Sequence, residues 1–160
     1  MNKIYFVILL FLLTASSCRK DMIHQEFGDK NSVKKILVTG TPTQYKESVI
    51  QNLIKKLGTT EYYFDLKPIK QLSKEDLSQY GVILIVDTLM AGKLDQNIVT
   101  FLGKKGYQSK TVVFFTRGGE VPGSNWPYPE IQVDAITSPS VDSVSNEKVE
   151  QLVHLIQAKF

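Results

Sequence analysis

From Val33 to the last residue, short runs of β-branched and aromatic residues alternate with stretches whose apolar residues recur at helical spacing. The short runs predict five strands, at Lys34–Thr39, Glu61–Leu66, Val82–Val86, Thr111–Thr116 and Ile131–Ile136. The amphipathic stretches predict four helices, at Glu47–Leu57, Ser73–Gln79, Leu94–Lys104 and Glu147–Lys159. The third strand is apolar throughout and the fourth nearly so, which is typical of parallel strands buried on both faces.

This alternation of strands and helices indicates βαβ units with right-handed crossovers. We therefore predict an α/β fold, a three-layer α/β/α sandwich around a five-stranded parallel sheet of order 2-1-3-4-5. In such sheets ligands bind beyond the carboxyl ends of the strands, near the point where the strand order reverses. The candidates for a functional site are therefore the residues that directly follow Thr39, Val86, Thr116 and Ile136.

The start of the chain has a different pattern. Lys3 precedes an unbroken apolar run over residues 4–13, and small residues then lead to Cys18. A helix needs about 20 apolar residues to span a bilayer, and a shorter run with a positive flank is typical of a secretory signal peptide. Because Cys18 directly follows Ala15-Ser16-Ser17, residues 1–17 resemble the bacterial lipoprotein signal. An ordinary cleaved signal with a coincidental cysteine is the alternative.

The lipoprotein resemblance implies that Cys18 is acylated, for example with palmitate, and anchors the protein to a membrane of the cell envelope. The next residue, Arg19, is not the aspartate that retains some lipoproteins in the inner membrane, so the outer membrane or the periplasmic face is favoured. Residues 18–32 are polar and aperiodic, and we expect a flexible tether with His24 in solvent. Residues 33–160 then form one domain.

Composition narrows the range of partners and chemistries. The 160 residues include 19 Lys and Arg and 16 Asp and Glu, for a formal charge of +3. These charges are interspersed rather than gathered in a basic patch, so we expect no nucleic-acid partner. One cysteine and two histidines exclude a zinc site of paired cysteines, and the sequence shows no other cluster of metal ligands. A Gly-x-Ser-x-Gly nucleophile motif is also absent, so no hydrolase triad is predicted.

The third predicted strand through the fourth carries a family resemblance. Residues 83–106 (ILIVDTLMAGKLDQNIVTFLGKKG) and 110–119 (KTVVFFTRGG) resemble the flavodoxin-like family, and the resemblance extends over roughly Lys34 to Phe160. It implies that FMN is the cofactor and that two loops flank the flavin ring. One loop comprises Thr88, Leu89, Met90, Ala91 and Gly92, and the other comprises Thr116, Arg117, Gly118 and Gly119.

The phosphate loop of that family is altered in this chain. Flavodoxins carry Ser/Thr-x-Thr-Gly-x-Thr after the first strand, where hydroxyls and free backbone amides hold the phosphate. Here the stretch reads Thr41-Pro42-Thr43-Gln44-Tyr45-Lys46. Gln44 replaces the glycine and limits close approach of an anion, whereas Lys46 replaces the last threonine with a cation. In the alternative interpretation Thr43 only caps the following helix.

Residues 117–130 contain three glycines and three prolines, which excludes a long helix before the last strand. The only tryptophan, Trp126, lies in this loop at the predicted site end of the sheet. Its ring is suited to stack on a flavin, or to cover the apolar gap left by the missing helix.

Two functions follow as hypotheses. The first is a membrane-anchored flavodoxin-like lipoprotein that binds FMN and transfers electrons at the cell envelope, with the flavin supplying the chemistry. The second is a cofactor-free scaffold or binding module of the envelope that has lost flavin binding, because a fold does not by itself imply a function. Both imply contact with the membrane through the lipid on Cys18 and an unidentified protein partner of the envelope.

Overall fold

The computed structural model describes residues 21–118, 126–139 and 146–160. The predicted signal peptide, its Cys18 and the site residue Gly119 lie outside the described residues. None of the helices in the described ranges is long and apolar enough to cross a membrane.

The described residues form one sheet, three α-helices and three short 3-10 helices. The strands are β1 Gln25–Phe27, β2 Lys34–Gly40, β3 Tyr62–Lys67, β4 Val82–Thr88, β5 Thr111–Arg117 and β6 Asp134–Pro139. The α-helices are α1 Gln44–Leu57, α2 Gln96–Leu102 and α3 Asn146–Gln157. The 3-10 helices are Ile69–Lys74, Leu77–Gln79 and Lys105–Lys110.

The sheet has six strands in the order β1-β3-β2-β4-β5-β6. The strands from β3 to β6 are parallel, and their relative order is the one predicted for five strands. The sixth strand, β1, pairs antiparallel with β3 and places Glu26 opposite Asp65. The prediction of five strands was therefore incomplete.

Strand β1 corrects the prediction of a flexible tether for part of that segment, because residues 25–27 belong to the sheet. Its backbone pairs with the open edge of β3, and Met22 packs against the core with 4% of its surface exposed. A strand of three residues is too short to show a period of two, so the sequence pattern does not reveal it. Because β1 covers β3, the predicted second strand is not at an edge of the sheet.

Two apolar cores lie on opposite faces of the sheet. Alternate residues of β4 divide between them: Leu84 packs with α1 and α3, and Ile83 packs with α2 and the 3-10 segments. The first core includes Leu53 of α1 and Leu152 of α3, both fully buried. Burial on both faces explains the continuous apolar sequence of β4.

Capping residues at both ends set the limits of helix α1. Thr43 has extended backbone angles, and its hydroxyl accepts a hydrogen bond of 3.4 Å from Lys46 N. The helix ends at Gly58, whose positive φ of 81° suits glycine and whose N–H donates to Ile54 O. The helix therefore starts three residues before the predicted Glu47.

The prediction of one helix over Ser73–Gln79 is wrong. Two 3-10 helices occupy this region, and Asp76, rather than Ser73, caps the second by accepting from Ser78 N at 3.0 Å. These short segments place Leu72 and Leu77 in the second core without forming a regular helix. The last strand is also displaced, because β6 begins at Asp134 instead of Ile131.

Candidate functional site

The carboxyl ends of β2 and β4 are joined closely. Thr41 N donates to Val86 O at 2.9 Å. The preceding residue, Gly40, has a φ of 128°, and a Cβ there would lie 1.9 Å from Val86 O. Only glycine allows this approach, because any side chain would collide with the neighbouring backbone.

Asp87 is a fully buried carboxylate at this end of the sheet. Its Oδ1 accepts a hydrogen bond from Thr41 Oγ1, and its Oδ2 accepts from Asp95 N at 2.6 Å. The carboxylate therefore links the end of β2 to the start of α2. Asp87 directly follows Val86, so it is one of the strand-end candidates that the sequence indicates, although no cofactor contact was predicted for it.

Lys46 reaches into the same polar cluster and is fully buried. Its Nζ donates to Thr88 Oγ1 at 2.9 Å and lies 3.4 Å from Thr41 Oγ1. The Thr88 hydroxyl is in turn 3.0 Å from Thr116 Oγ1. The first turn of α1 is thus tied to the ends of β2, β4 and β5 by a buried ammonium and three hydroxyls.

The predicted phosphate loop is divided between exposed and inward-facing residues. Thr43 and Gln44 are exposed, whereas Thr41 and Lys46 are buried in the polar cluster. The Tyr45 hydroxyl is 2.8 Å from Ser138 Oγ, which connects α1 to β6. The structure therefore confirms Thr43 as a helix cap and directs Lys46 toward the sheet.

The two predicted flavin-flanking loops line one cleft with a volume of about 570 Å³. Its walls are formed by Leu89, Ala91, Gly92, Arg117, Gly118, Trp126 and Pro127. A hydrogen bond of 2.8 Å from Leu89 N to Thr116 O holds the two loops together at their base. The structure thus brings predicted residues from β4, β5 and the Trp126 loop to one place.

A tight turn forms one wall of the cleft. Met90 and Lys93 exchange two backbone hydrogen bonds of 2.9 and 3.0 Å. Between them Ala91 and Gly92 both have positive φ, of 51° and 76°. Positive φ at both central residues is the geometry of a type I′ turn. Met90 itself is 47% exposed beside the cleft.

Trp126 both lines the cleft and packs against the second core. Its Nε1 donates to Ile131 O at 2.9 Å, and its ring lies 5.9 Å from Phe115 and 5.5 Å from Tyr128 between centroids. The Tyr128 hydroxyl accepts from Leu94 N at 3.0 Å. These contacts pack Trp126 against the second core.

A second polar cluster lies away from this cleft, where β1 pairs with β3. His24, Glu26 and Asp65 each offer one ligand atom, and these atoms lie within 4.8 Å of one another. The structure therefore brings together three potential metal ligands that the sequence pattern does not show as a cluster. The cluster is not visible in the sequence, because Asp65 lies about forty positions from His24 and the two residues meet only when β1 pairs with β3.

Solved structures with a similar fold include flavodoxins and larger enzymes. Flavodoxin 2 from Bacillus cereus is 16% identical with a TM-score of 0.55, over 79% of this chain and 99% of that protein. The flavodiiron core from Synechocystis is 10% identical with a TM-score of 0.57, over 81% of this chain and 36% of that protein. The lysine decarboxylase of Francisella novicida is 13% identical with a TM-score of 0.52, over 83% of this chain and 18% of that enzyme.

These likenesses show that the chain has the flavodoxin-like fold, as its sequence predicted. The chain spans about a third of the flavodiiron core and about a fifth of the decarboxylase. No protein-family model and no curated protein matches it.

Proposed function

We propose that this protein is a flavodoxin-like redox module that binds FMN with the flavin ring in the cleft between the β4 and β5 loops. The observation that carries the proposal is the shared cleft. Both loops predicted to flank the ring line the same space, together with Trp126. Its aromatic and apolar walls suit a planar ligand, and Arg117 adds a cation at the rim.

The cleft proposed for the flavin ring and the loop proposed for the phosphate differ in how well their residues suit FMN. The ring end offers an open cleft, and Gly118 leaves it uncrowded, because a Cβ there would meet no atom of the described residues within 4 Å. At the phosphate end Pro42 has no N–H to donate, Gln44 replaces the glycine, and Lys46 Nζ is engaged with Thr88. We therefore propose that the ring supplies most of the affinity and the phosphate little. A bound flavin would supply the electron transfer, and the chain would hold and shield its ring.

The fluorescence of Trp126 reports flavin binding, because Trp126 is the only tryptophan in the sequence and lines the cleft. Titration of the full-length protein in detergent with FMN, and separately with riboflavin, should quench tryptophan fluorescence saturably. The two dissociation constants should be equal within error, since the phosphate adds little. Tight FMN binding with no riboflavin binding would contradict the proposed role of the ring cleft.

Two glycine variants locate the site. Gly118→Phe places a ring in the cleft and should abolish quenching. Gly106→Phe is the matched control, because Gly106 also has open space around its Cβ position and lies outside the cleft. Equal loss of binding in both variants would argue against this cleft.

A cofactor-free scaffold is the second candidate, and the buried state of Lys46 favours it. The Lys46 ammonium is fully buried and donates to Thr88 within the fold, so the side chain has a structural role that needs no bound cofactor. Absence of saturation by either flavin at high micromolar concentration would support the scaffold and reject the redox proposal. The partner would then be sought by cross-linking around the Trp126 loop.

We also propose that Cys18 carries a lipid that anchors the protein to the bacterial cell envelope, at the outer membrane or the periplasmic face. The support is the sequence of residues 1–18 alone. In a bacterial host fed an alkyne analogue of palmitate, the full-length protein should be labelled and should enter the detergent phase on partition. Cys18→Ser should lose both properties, whereas labelling of that variant would overturn the proposal.

A further inference from the structure

The edge strand β1 brings three potential metal ligands to one face of the sheet. His24 and Glu26 are two positions apart, so their side chains lie on the same face of the extended chain. The register of β1 on β3 sets Glu26 directly opposite Asp65. A histidine and two carboxylates thereby converge at one point of the β1–β3 ladder.

Two of the three distances among their ligand atoms are close to those of a coordination site. His24 Nε2 lies 3.3 Å from Asp65 Oδ1 and 3.7 Å from Glu26 Oε1. Ligands bound tetrahedrally at about 2.1 Å from a zinc ion are about 3.4 Å apart. The side chains of His24 and Glu26 are 51% and 33% exposed, so both have room to turn toward a shared ion.

The oxygens that do not face His24 are already occupied. Asp65 Oδ2 accepts from Tyr80 OH at 2.5 Å and lies 3.1 Å from Lys67 Nζ. Glu26 Oε2 lies 2.6 Å from Lys30 Nζ. Each lysine therefore holds the far oxygen of a carboxylate and leaves the near oxygen directed at the imidazole. Outer-shell contacts of this kind orient metal ligands.

Asp65 Oδ1 is the independent sign that a cation belongs here. The Asp65 side chain is 5% exposed, and Oδ1 makes no hydrogen bond to any residue that the structure describes. The His24 imidazole lies 3.3 Å from this oxygen, but a buried carboxylate oxygen that accepts no hydrogen bond is costly. Glu26 and Asp65 also lie opposite each other on adjacent strands, where like charges repel. A cation between Asp65, Glu26 and His24 would remove both costs.

We propose that His24, Glu26 and Asp65 bind one divalent transition-metal ion of the Zn²⁺ class. An imidazole with two carboxylate oxygens suits this class, whereas Mg²⁺ and Ca²⁺ favour oxygen ligands alone. Three protein ligands and a half-exposed histidine leave room for a water molecule in the fourth position. The bound ion joins β1 to β3 and so fixes the chain segment that leads into the domain. This proposal is independent of flavin binding.

Binding of Zn²⁺ to the full-length protein by calorimetry tests the site. The protein carries no histidine tag, and Cys18→Ser is present throughout so that the only thiol cannot bind metal. One Zn²⁺ should bind per chain, and Co²⁺ should show visible absorption bands of a four- or five-coordinate site. Zn²⁺ should also raise the melting temperature, because it binds the folded state.

His24→Ala should weaken Zn²⁺ binding by more than the roughly 10- to 100-fold that loss of an outer-shell contact costs. The matched control is His154→Ala, which removes the other histidine, exposed on α3, and should leave the affinity unchanged. Asp65→Asn should also abolish binding, and because that residue is buried its circular dichroism is compared with that of the parent protein. His24→Ala keeps the test valid if Asp65→Asn does not fold, since His24 is half-exposed.

Two results would overturn the proposal. One is the absence of saturable Zn²⁺ or Co²⁺ binding by the parent protein. The other is equal binding by the parent and His24→Ala, which would mean an adventitious ion only.

Discussion

The side chain of Lys46, in the first turn of α1, donates a 2.9 Å hydrogen bond to the hydroxyl of Thr88 at the end of β4. Lys46 is fully buried, and Thr41 and Asp87 continue the same polar cluster. A cation that the sequence offers as a phosphate ligand is therefore part of the internal structure of the sheet's carboxyl end.

Lys46→Met should lower the free energy of unfolding by about 1–3 kcal/mol. The substitution keeps the aliphatic stem but leaves buried hydroxyls and the Asp87 carboxylate without their nearby cation. Urea unfolding measures the effect, with the exposed Lys55→Met on the same helix as control, expected within about 0.5 kcal/mol of the parent. Equal stability of the two variants would show that the buried ammonium contributes nothing.

Gly40→Ala should destabilise the protein by more than about 3 kcal/mol. Alanine at a φ of 128° is strained, and its Cβ would lie 1.9 Å from the backbone oxygen of Val86, which cannot move without breaking the β2–β4 ladder. Gly106→Ala is the control, because its Cβ position is open and its effect should stay within about 0.5 kcal/mol. Thermal and urea unfolding of both variants decide the matter, and a tolerated Gly40→Ala would contradict the close approach.

Asp76 should contribute stability that depends on pH. Hydrogen bonds from the Ser78 hydroxyl and backbone N–H lower the pKa of Asp76 below its ordinary value of 3.8. Between the lowered folded pKa and 3.8 the unfolded chain binds more protons, so this contribution is complete above pH 3.8 and is lost as the pH falls. The stability difference between the parent and Asp76→Ala should therefore shrink below pH 3.8.

Urea unfolding from pH 7 down to pH 3 measures that difference directly. Ser78→Ala removes the larger of the two causes and so brings the folded pKa of Asp76 closer to 3.8; in that background the decline should be smaller and should end at a higher pH. A difference that stays constant over the whole range would show that the pKa of Asp76 is not lowered by folding.

Gln44→Gly should tighten binding of FMN and leave riboflavin affinity unchanged, provided that the cleft binds flavins. Glycine lets the backbone approach the phosphate, and one added hydrogen bond to a charged group is worth about 1.5–3 kcal/mol, or roughly tenfold or more in affinity. Gln44→Ala is the matched control, since it shortens the side chain without giving the backbone access to positive φ. Quenching of Trp126 reports both ligands, and an equal gain in both variants would assign the effect to side-chain size.

The spacing of apolar residues along the chain predicts those strands and helices in which many residues are buried on the same face. Val82–Val86 is apolar because both faces of β4 are covered, and Leu53 recurs with its neighbours at helical spacing because one side of α1 is buried. The parallel strands and their relative order were therefore readable, and so was the shared position of the β4 and β5 loops. The short 3-10 helices at Ile69–Lys74 and Leu77–Gln79 were not, because segments of three to six residues are too short to establish a recurring pattern.

The direction in which an individual polar side chain points is seen only in the tertiary structure. Lys46 has the same place in the sequence whether it faces an anion or the sheet, and only the positions of Thr41 and Thr88 decide between them. Trp126 likewise lines the cleft while its indole N–H bonds Ile131 O, a combination that loop composition does not specify.

The sequence determines the α/β architecture and the end of the sheet where ligands are expected, because the hydrophobic pattern records which faces are buried. Contacts between distant residues carry no such pattern. Strand β1 pairs with β3 through backbone hydrogen bonds, which any side chains allow, so the meeting of His24, Glu26 and Asp65 appears only when the strands are in register.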